Sequence, residues 1–145
     1  MGDITSIIVG VDGSDQSKAA VEWAYSEAAH HAASLTLVTV WSPPALTNNP
    51  PYGGLPTEGY ADQPRTDALA LLDRLVADLE ERTPAVEVRT SIEEGHPAKV
   101  LIERSREADL LVVGSRGHGG FAGMLLGSVS QHLVAHAHCP VLVTR

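Results

Sequence analysis

The segment from Gly114 to Ser128 contains the residue types that bind phosphate. It reads GSRGHGGFAGMLLGS, with six glycines, two serines and one arginine, and it contains no acidic residue. Glycine has no Cβ to keep a ligand away from backbone N–H groups, and it permits positive φ angles that gather successive N–H groups into a concavity. A helix that begins near Gly127 or Ser128 adds unpaired N–H groups and the positive end of its dipole. The segment therefore predicts an anion site built mainly from backbone, with Arg116, Ser128 and Ser130 as side-chain donors.

Two common phosphate-binding motifs do not fit this segment. A P-loop requires Gly-Lys-Ser or Gly-Lys-Thr, and the segment contains no lysine. The run from Gly117 to Ala122 formally matches G-x-G-x-x-A, but a dinucleotide fingerprint follows the first strand and has an acidic residue about 20 positions later. Here the run follows the fourth predicted strand, and no acidic residue occurs after Asp109. We therefore reject a dinucleotide site.

A second polar segment, Asp12-Gly13-Ser14, follows the first apolar run of the chain. An aspartate at this position can brace a turn or cap the next helix, or it can contact a nucleotide or a metal ion. Ligands of open α/β sheets bind beyond the carboxyl ends of the strands, where the strand order reverses. Both polar segments occupy such positions, so we favour the ligand role for Asp12 and leave the bracing role open.

The elements that position these segments alternate along the chain. Nearly continuous apolar runs predict strands buried on both faces of a parallel sheet, and amphipathic or capped segments between them predict helices. Strands that alternate with helices are typical of an α/β fold. We predict a single domain over residues 1–145, Rossmann-like, with a five-stranded parallel sheet and helices on both faces. The predicted strands are Ile7–Val11, Leu35–Trp41, Val86–Ile92, Leu110–Val113 and Val141–Thr144.

Caps, prolines and apolar spacing predict the helices. Ser14 can cap a helix that runs to about Ala33. The segment Ala68–Leu79 has large apolar residues at spacings of three and four, beginning at Leu69. Pro97 suits the first turn of a third helix. The last helix begins near Gly127 or Ser128, ends before Cys139-Pro140, and is expected to turn Val129, Leu133 and Val134 inward.

A long segment without periodicity separates the second predicted strand from the second predicted helix. Residues 42–65 contain six prolines and three glycines. Loops of this length inside a compact domain are usually functional or mobile. We predict a flexible loop over about 42–65, beside the carboxyl end of the second strand.

The composition limits the partners and the compartment. A net charge of −8 disfavours nucleic acid, although it does not disfavour a small anion in a local site. The single cysteine, Cys139, cannot form an internal disulfide. No run is long and apolar enough to span a membrane. We therefore expect a cytoplasmic protein that binds neither membranes nor nucleic acid.

The sequence predicts no structural zinc site and no catalytic residues. His132, His136 and His138 lie near Cys139, but structural zinc sites come from paired Cys and His clusters at fixed spacing, so we expect exposed histidines. A nucleophile elbow, paired carboxylates beside the glycine segment and a general base are all missing from the pattern. The sequence therefore indicates a binding protein.

The spacing Gly114-x2-Gly117-x9-Gly127-Ser128 resembles the ATP-binding signature of the universal stress protein family. The resemblance covers nearly the whole chain. It includes Val9–Ser14 at the first strand, Gly95-His96-Pro97 before the third helix, and Ala108–Gly114, Leu126–Ser130 and Cys139–Val143. Each segment alone is weakly specific, but their occurrence in this order is highly specific.

The resemblance implies an adenine-nucleotide-binding fold that holds ATP, usually together with Mg or Mn. Asp12 would lie beside the nucleotide and bind the metal ion, and Val40 would lie against the adenine with a backbone contact. The family also implies a homodimer, often formed by pairing the last strands, here Pro140 to Thr144. The remaining residues of the predicted nucleotide site are Val113, Gly114, Arg116, Gly117, Gly127, Ser128, Val129 and Ser130.

We therefore predict an ATP-binding regulatory stress protein with an unknown protein partner. A slow ATPase or nucleotidyl-transfer enzyme is one alternative, and a nucleotide-free dimer that binds a partner protein is another. The ligand can also be AMP or a cyclic nucleotide, because most expected contacts are backbone N–H groups that do not read the base or count phosphates.

Overall fold

The computed structural model describes residues 2–43, 63–116 and 126–145. Within these ranges, strands and helices alternate as the sequence predicts. The elements are β1 (Ser6–Gly10), α1 (Asp15–His31), β2 (Ser34–Trp41), α2 (Gln63–Glu80), β3 (Val88–Glu94), α3 (Pro97–Arg104), a 3-10 turn at Ser105–Glu107, β4 (Leu110–Gly114), α4 (Ser128–His136) and β5 (Val141–Thr144).

The strands form one five-stranded sheet in the order β3-β2-β1-β4-β5, and all neighbouring pairs are parallel. This confirms the predicted sheet. The chain builds the sheet outward from β1, first through β2 to β3 and then, on the other side, through β4 to β5. The strand order therefore reverses between β1 and β4, which is where open sheets of this kind bind ligands.

Helices cover both faces of the sheet, as predicted. The face under α1 and α2 and the face under α3 and α4 each have their own apolar cluster. Alternate residues of the central strands point to opposite faces, so both faces of these strands are buried, which explains their nearly continuous apolar sequences. Fully buried side chains under α1 and α2 include Ile7, Val9, Leu35, Leu37 and Val112, and those on the other face include Ile8, Val38, Leu111 and Leu133.

The helix α1 begins where the sequence predicts and ends two residues earlier. The Ser14 hydroxyl accepts a hydrogen bond from the Ser17 N–H at 3.2 Å and so caps the helix. At the other end, Ala32 has a left-handed φ of 55°, and the Ala33 N–H donates to the Ala28 carbonyl at 2.9 Å. This turn ends α1 at His31 and not near Ala33.

The predicted loop over residues 42–65 is wrong at its carboxyl end. Residues 63–65 form the first turn of α2, where a proline such as Pro64 is tolerated because its missing N–H has no helical partner. Residues 44–62 lie outside the described residues. Along α2, Leu72 and Leu79 are buried as expected, but Ala68 takes the first buried position and Leu69 is 38% exposed.

Five other elements differ in detail from the prediction. The strand β3 begins at Val88 and not at Val86, and the bounds of β1, β2 and β4 differ by a residue. On α4, Gly127 is the N-cap and Leu133 is fully buried, but Val134 is 58% exposed. The small residue Ser130 fills the inward position one turn before Leu133, so the buried stripe of α4 excludes Val134.

Asp109 joins the amino ends of β1 and β4. Its Oδ2 atom accepts hydrogen bonds from the Thr5 N–H at 2.9 Å, the Thr5 hydroxyl at 3.0 Å and the Ser6 N–H at 3.1 Å. The hydrogen bonds from Thr5, above all from its N–H, lower the pKa of the Asp109 carboxyl, because they stabilise the charged form. The carboxylate therefore fixes the amino ends of these two strands side by side. The predicted site lies at their opposite, carboxyl ends.

Gly114 ends β4 directly beneath the first turn of α1. A Cβ at Gly114 would lie 2.7 Å from the Gln16 Cβ, 2.8 Å from the Gln16 carbonyl carbon and 2.9 Å from its oxygen. Two of these atoms belong to the backbone, so the conflict cannot be relieved by rotating a side chain. Gly114 is therefore required for the close approach of β4 to α1.

We expect Gly114→Ala to destabilise the fold by about 1–3 kcal/mol, because the added methyl group must push α1 away from β4. The free energy of unfolding from urea titration measures this effect. Gly2→Ala is the matched control, since a Cβ at Gly2 would meet no atom within 4 Å. Equal stabilities of the two variants would contradict this account of Gly114.

Candidate functional site

The two polar segments predicted from the sequence meet at one place. The strands β1 and β4 are neighbours with Val9 opposite Val112, so their carboxyl ends lie side by side. Asp12, Gly13 and Ser14 follow β1, and Ser115 and Arg116 follow β4. The structure therefore brings both segments to the point where the strand order reverses.

Asp12 braces the turn between β1 and α1. Its Oδ1 atom accepts hydrogen bonds from the Ser14 N–H at 2.9 Å and from the Ser14 hydroxyl at 2.6 Å. The residue between them, Gly13, has a φ of 85°, which glycine adopts without strain. The bracing role that the sequence left open is thus observed, and a nucleotide or metal contact by Asp12 stays a prediction. The two roles are compatible, because a carboxylate has about four lone-pair sites.

Two hydrogen bonds attach the amino end of α4 to the carboxyl end of β4. The Gly127 N–H donates to the Ser115 carbonyl at 2.6 Å, and the Ser130 hydroxyl donates to the Gly114 carbonyl at 2.7 Å. Both donors were predicted to face a ligand. In this structure their protons are used within the protein, so these two residues position the helix and do not present these groups to a ligand.

The backbone N–H groups of the first turn of α4 remain as ligand donors. Ser128, Val129 and Ser130 are the first three residues of this nine-residue helix, and such N–H groups have no partner inside a helix. Within the part of the chain that the structure describes, no acceptor pairs with them. Ser128 is exposed and Val129 is half-buried, so this turn is open to a ligand at its surface.

Arg116 follows Ser115, whose carbonyl is bonded to Gly127, so its backbone lies near the amino end of α4. It is half-buried and takes part in none of the ion pairs between described residues. The next residue of the predicted signature, Gly117, lies outside the described residues. Of the predicted loop, the structure therefore places Gly114, Arg116, Gly127 and Ser128 together at the switch point.

Val40 and Val113 provide an apolar surface near the carboxyl ends of β2 and β4. Val40 lies in the last part of β2, and Val113 lies in β4, with β1 between the two strands. Both side chains belong to the apolar cluster under α3 and α4. Val113 is buried, whereas Val40 is half-buried. A flat apolar ligand group beside β2 would therefore meet Val40 first.

The histidines near the carboxyl end of α4 lie at the surface. His132, His136 and His138 are exposed, and the His132 Nδ1 lies 2.8 Å from the Ser128 carbonyl. Burial, and then the charge of Asp109, raise the pKa of the Cys139 thiol, since both disfavour its charged form. Across residues 2–43, 63–116 and 126–145, no group of three or more His, Cys, Asp or Glu side chains is arranged to hold a metal ion.

Sequence reasoning missed three residues that organise the site. Gln16 sets the spacing between α1 and β4, Ser115 accepts from the N-cap of α4, and Thr144 accepts a hydrogen bond from the Ser115 N–H at 2.6 Å. The contacts of Gln16 and Ser115 are made by backbone or Cβ atoms. No residue type is specific for such contacts, so the sequence carries no signal for them.

The chain is similar to proteins of one family along nearly all of its length. A model of the universal stress protein family matches residues 4–145. A universal stress protein of Mycolicibacterium smegmatis is 40% identical over 139 residues, which are 96% of this chain and 45% of the relative. Universal stress protein Rv2623 of Mycobacterium tuberculosis is 39% identical over the same length, 44% of that relative. The chain therefore spans less than half the length of these curated relatives.

Solved structures show the same fold. Universal stress protein UspA from Lactobacillus plantarum matches with a TM-score of 0.77 at 29% identity, over 100% of both chains. A universal stress protein in complex with cAMP matches with a TM-score of 0.68 at 30% identity, over 99% of this chain and 98% of the other. The family model, the relatives and the shared five-stranded sheet agree: the chain belongs to the universal stress protein family.

Proposed function

We propose that this chain is a regulatory protein that binds an adenine nucleotide, ATP in particular, where β1 meets β4. The observation that carries the proposal is the first turn of α4. Its backbone N–H groups lie beside the end of β4 and have no acceptor among the described residues. Helix amino ends of this kind bind phosphate through these N–H groups and through the helix dipole.

The charge distribution supports an anionic ligand at this place. The chain has a net charge of −8, so a phosphate is repelled by most of the surface. At the switch point, however, Arg116 follows Ser115 at the amino end of α4, and the acidic residues of the β1–α1 connection are Asp12 and, at the start of α1, Asp15. The proposed role of Arg116 is a charge-assisted hydrogen bond to a phosphate oxygen, which is stronger than a neutral one.

The donor set of the site suits a metal ion that arrives with a triphosphate. Mg²⁺ is commonly held by one or two carboxylates together with phosphate oxygens and water, and it needs no dedicated cage of protein ligands. Asp12 supplies one carboxylate at the right end of β1. We propose that Asp12 holds Mg or Mn against the phosphates, where the ion neutralises their charge.

The apolar side of the site supports a nucleobase. The half-buried Val40 would lie against the adenine, with a backbone contact beside it, while the phosphates extend toward α4. A solved universal stress protein that is 30% identical to this chain is in complex with cAMP. An adenine nucleotide is therefore compatible with this fold. Binding followed by regulation of an unknown protein partner, without rapid hydrolysis, is the function we propose.

Replacing Arg116 tests the site. We expect the wild-type chain to bind ATP in the presence of MgCl₂. We expect Arg116→Gln to weaken ATP binding by about tenfold or more, because one hydrogen bond to a charged group is lost. Isothermal titration calorimetry measures both, and titrations with AMP and cAMP rank the ligands. Arg106→Gln is the matched control, because Arg106 lies on the 3-10 turn that precedes β4, where its Nε is 3.5 Å from Glu103.

Two results would contradict the proposed site. The first is a wild-type chain that binds none of the three nucleotides. The second is an Arg116→Gln variant that binds as tightly as Arg106→Gln.

We also propose that the chain forms a homodimer through β5. This strand ends the sheet, and in the described part of the chain no strand pairs with its outer side. Pro140 and Thr144 accept from Leu111 and Ser115 of the β4 side, so their polar groups point inward. Because backbone polar groups alternate along a strand, those of Val141 and Val143 point outward, ready to pair with a second copy.

An exposed tryptophan flanks this edge. Trp23 is 53% exposed and lies about two turns after Gln16 along α1. Gln16 lies next to Thr144, since the Thr144 hydroxyl is 3.5 Å from the Gln16 carbonyl. By helical periodicity, Trp23 therefore lies on about the same side of α1 as Gln16, and we propose that it contacts the second copy.

The predicted dimer is tested by Val143→Pro. Proline removes the outward N–H of Val143 without removing a hydrogen bond to β4, and edge strands tolerate proline at such positions. We expect wild type and Val143→Ala to be dimers and Val143→Pro to be a monomer in sedimentation velocity. Val143→Ala controls for lost packing, and circular dichroism checks the fold. A Val143→Pro dimer of unchanged stability would exclude this interface.

A further inference from the structure

The proposed nucleotide site and the outer strand β5 meet at Ser115. The Ser115 N–H donates to the carbonyl of Thr144, the last residue of β5, at 2.6 Å. The Ser115 carbonyl accepts from Gly127, the N-cap of α4, also at 2.6 Å. One buried residue thus links the end of the edge strand to the start of the helix that faces the nucleotide.

Thr144 makes a second connection, toward α1. Its hydroxyl lies 3.5 Å from the Gln16 carbonyl and 3.5 Å from the Val113 carbonyl. Gln16 is also the residue against which Gly114 packs. The end of β5, the end of β4, the first turn of α1 and the N-cap of α4 are therefore in mutual contact, and Ser115, Gly127 and Thr144 are buried there. We call this group of residues the switch-point cluster, and its members are Gln16, Gly114, Ser115, Gly127 and Thr144.

The strand β5 has the least support in the sheet. It is four residues long, and within the described ranges it pairs only with β4. Val141, Leu142 and Val143 are half-buried. Short segments with few buried contacts and exposed backbone hydrogen bonds open locally at a low free-energy cost. An event that orders the switch-point cluster would therefore act on β5 directly.

We propose that nucleotide binding and the pairing of β5 with a second copy are positively coupled through the switch-point cluster. A phosphate on the first turn of α4 would hold Gly127 against Ser115, and pairing of Val141 and Val143 with a second copy would hold Thr144 against Ser115, so each event stabilises a hydrogen bond of the same residue. Coupling between two binding equilibria is reciprocal. The factor by which nucleotide tightens the dimer therefore equals the factor by which dimer formation tightens nucleotide binding. This inference rests on the proposed function.

The reciprocal factors are measured on the full chain. Sedimentation velocity gives the dimer dissociation constant without nucleotide and with saturating ATP and MgCl₂, and we expect it to fall about fivefold or more with ATP. Calorimetry gives the ATP affinity of the wild-type chain, at protein concentrations above its dimer dissociation constant, and the ATP affinity of Val143→Pro. We expect Val143→Pro to bind ATP more weakly by the same factor and Val143→Ala to bind like wild type.

Hydrogen exchange in Val143→Pro isolates the part of the coupling that lies inside one chain. Saturating ATP is expected to slow exchange of the amides of residues 141, 142, 144 and 145 in this monomer, since prolines 140 and 143 have no N–H. A chain that binds no ATP overturns the proposed function and the coupling together. A chain that binds ATP but shows an unchanged dimer dissociation constant, a permanently monomeric state, or unchanged exchange at these four amides overturns the coupling alone.

Discussion

The close approach of α1 to the carboxyl end of β4 is the constraint on which the site depends. It is possible because Gly114 has no side chain, and it places the backbone of Gln16 over the point where β4 ends. The chain leaving β4 must then turn away from α1, and the hydrogen bonds from Gly127 and Ser130 fix where α4 begins. The open N–H groups of α4 are a consequence of this packing.

This packing changes the meaning of the glycine signature. Gly114 and Gly127 belong to the sequence pattern expected to let a ligand approach the backbone. In the structure, Gly114 leaves room for a helix, and the Gly127 N–H is bonded to Ser115. These two glycines thus reflect how α1, β4 and α4 assemble. In the proposed site, the ligand contacts are made by the backbone N–H groups of the residues just after Gly127, where residue type matters little.

The sequence was sufficient for the architecture because the relevant signals are local or periodic. Ser14 caps α1 and Pro97 opens α3, as predicted, since caps and prolines act within a turn. Continuous apolar runs identified the buried parallel strands. The errors have tertiary causes: Val134 is exposed because Ser130 and Leu133 form the buried stripe, and Leu69 is exposed because Ala68 faces the sheet.

Part of the candidate site could be predicted and part could not. The meeting of Asp12 with the glycine segment follows from the position of both segments after strands, together with the reversal of strand order. The hydrogen bond from the Ser130 hydroxyl to the Gly114 carbonyl could not be predicted, because a serine near the start of a helix can donate to a ligand as well as to a carbonyl. Ser115 acts through its backbone N–H and carbonyl, which leave no mark in the sequence.

The central claim is that the backbone of the first turn of α4 binds a phosphate group. It is tested most directly by two-dimensional ¹H–¹⁵N NMR during titration with AMP and, as the matched ligand without phosphate, adenosine. The account predicts large shifts of the Ser128, Val129 and Ser130 amide signals with AMP and much smaller shifts with adenosine. AMP binding that leaves these three amide signals in place would contradict it.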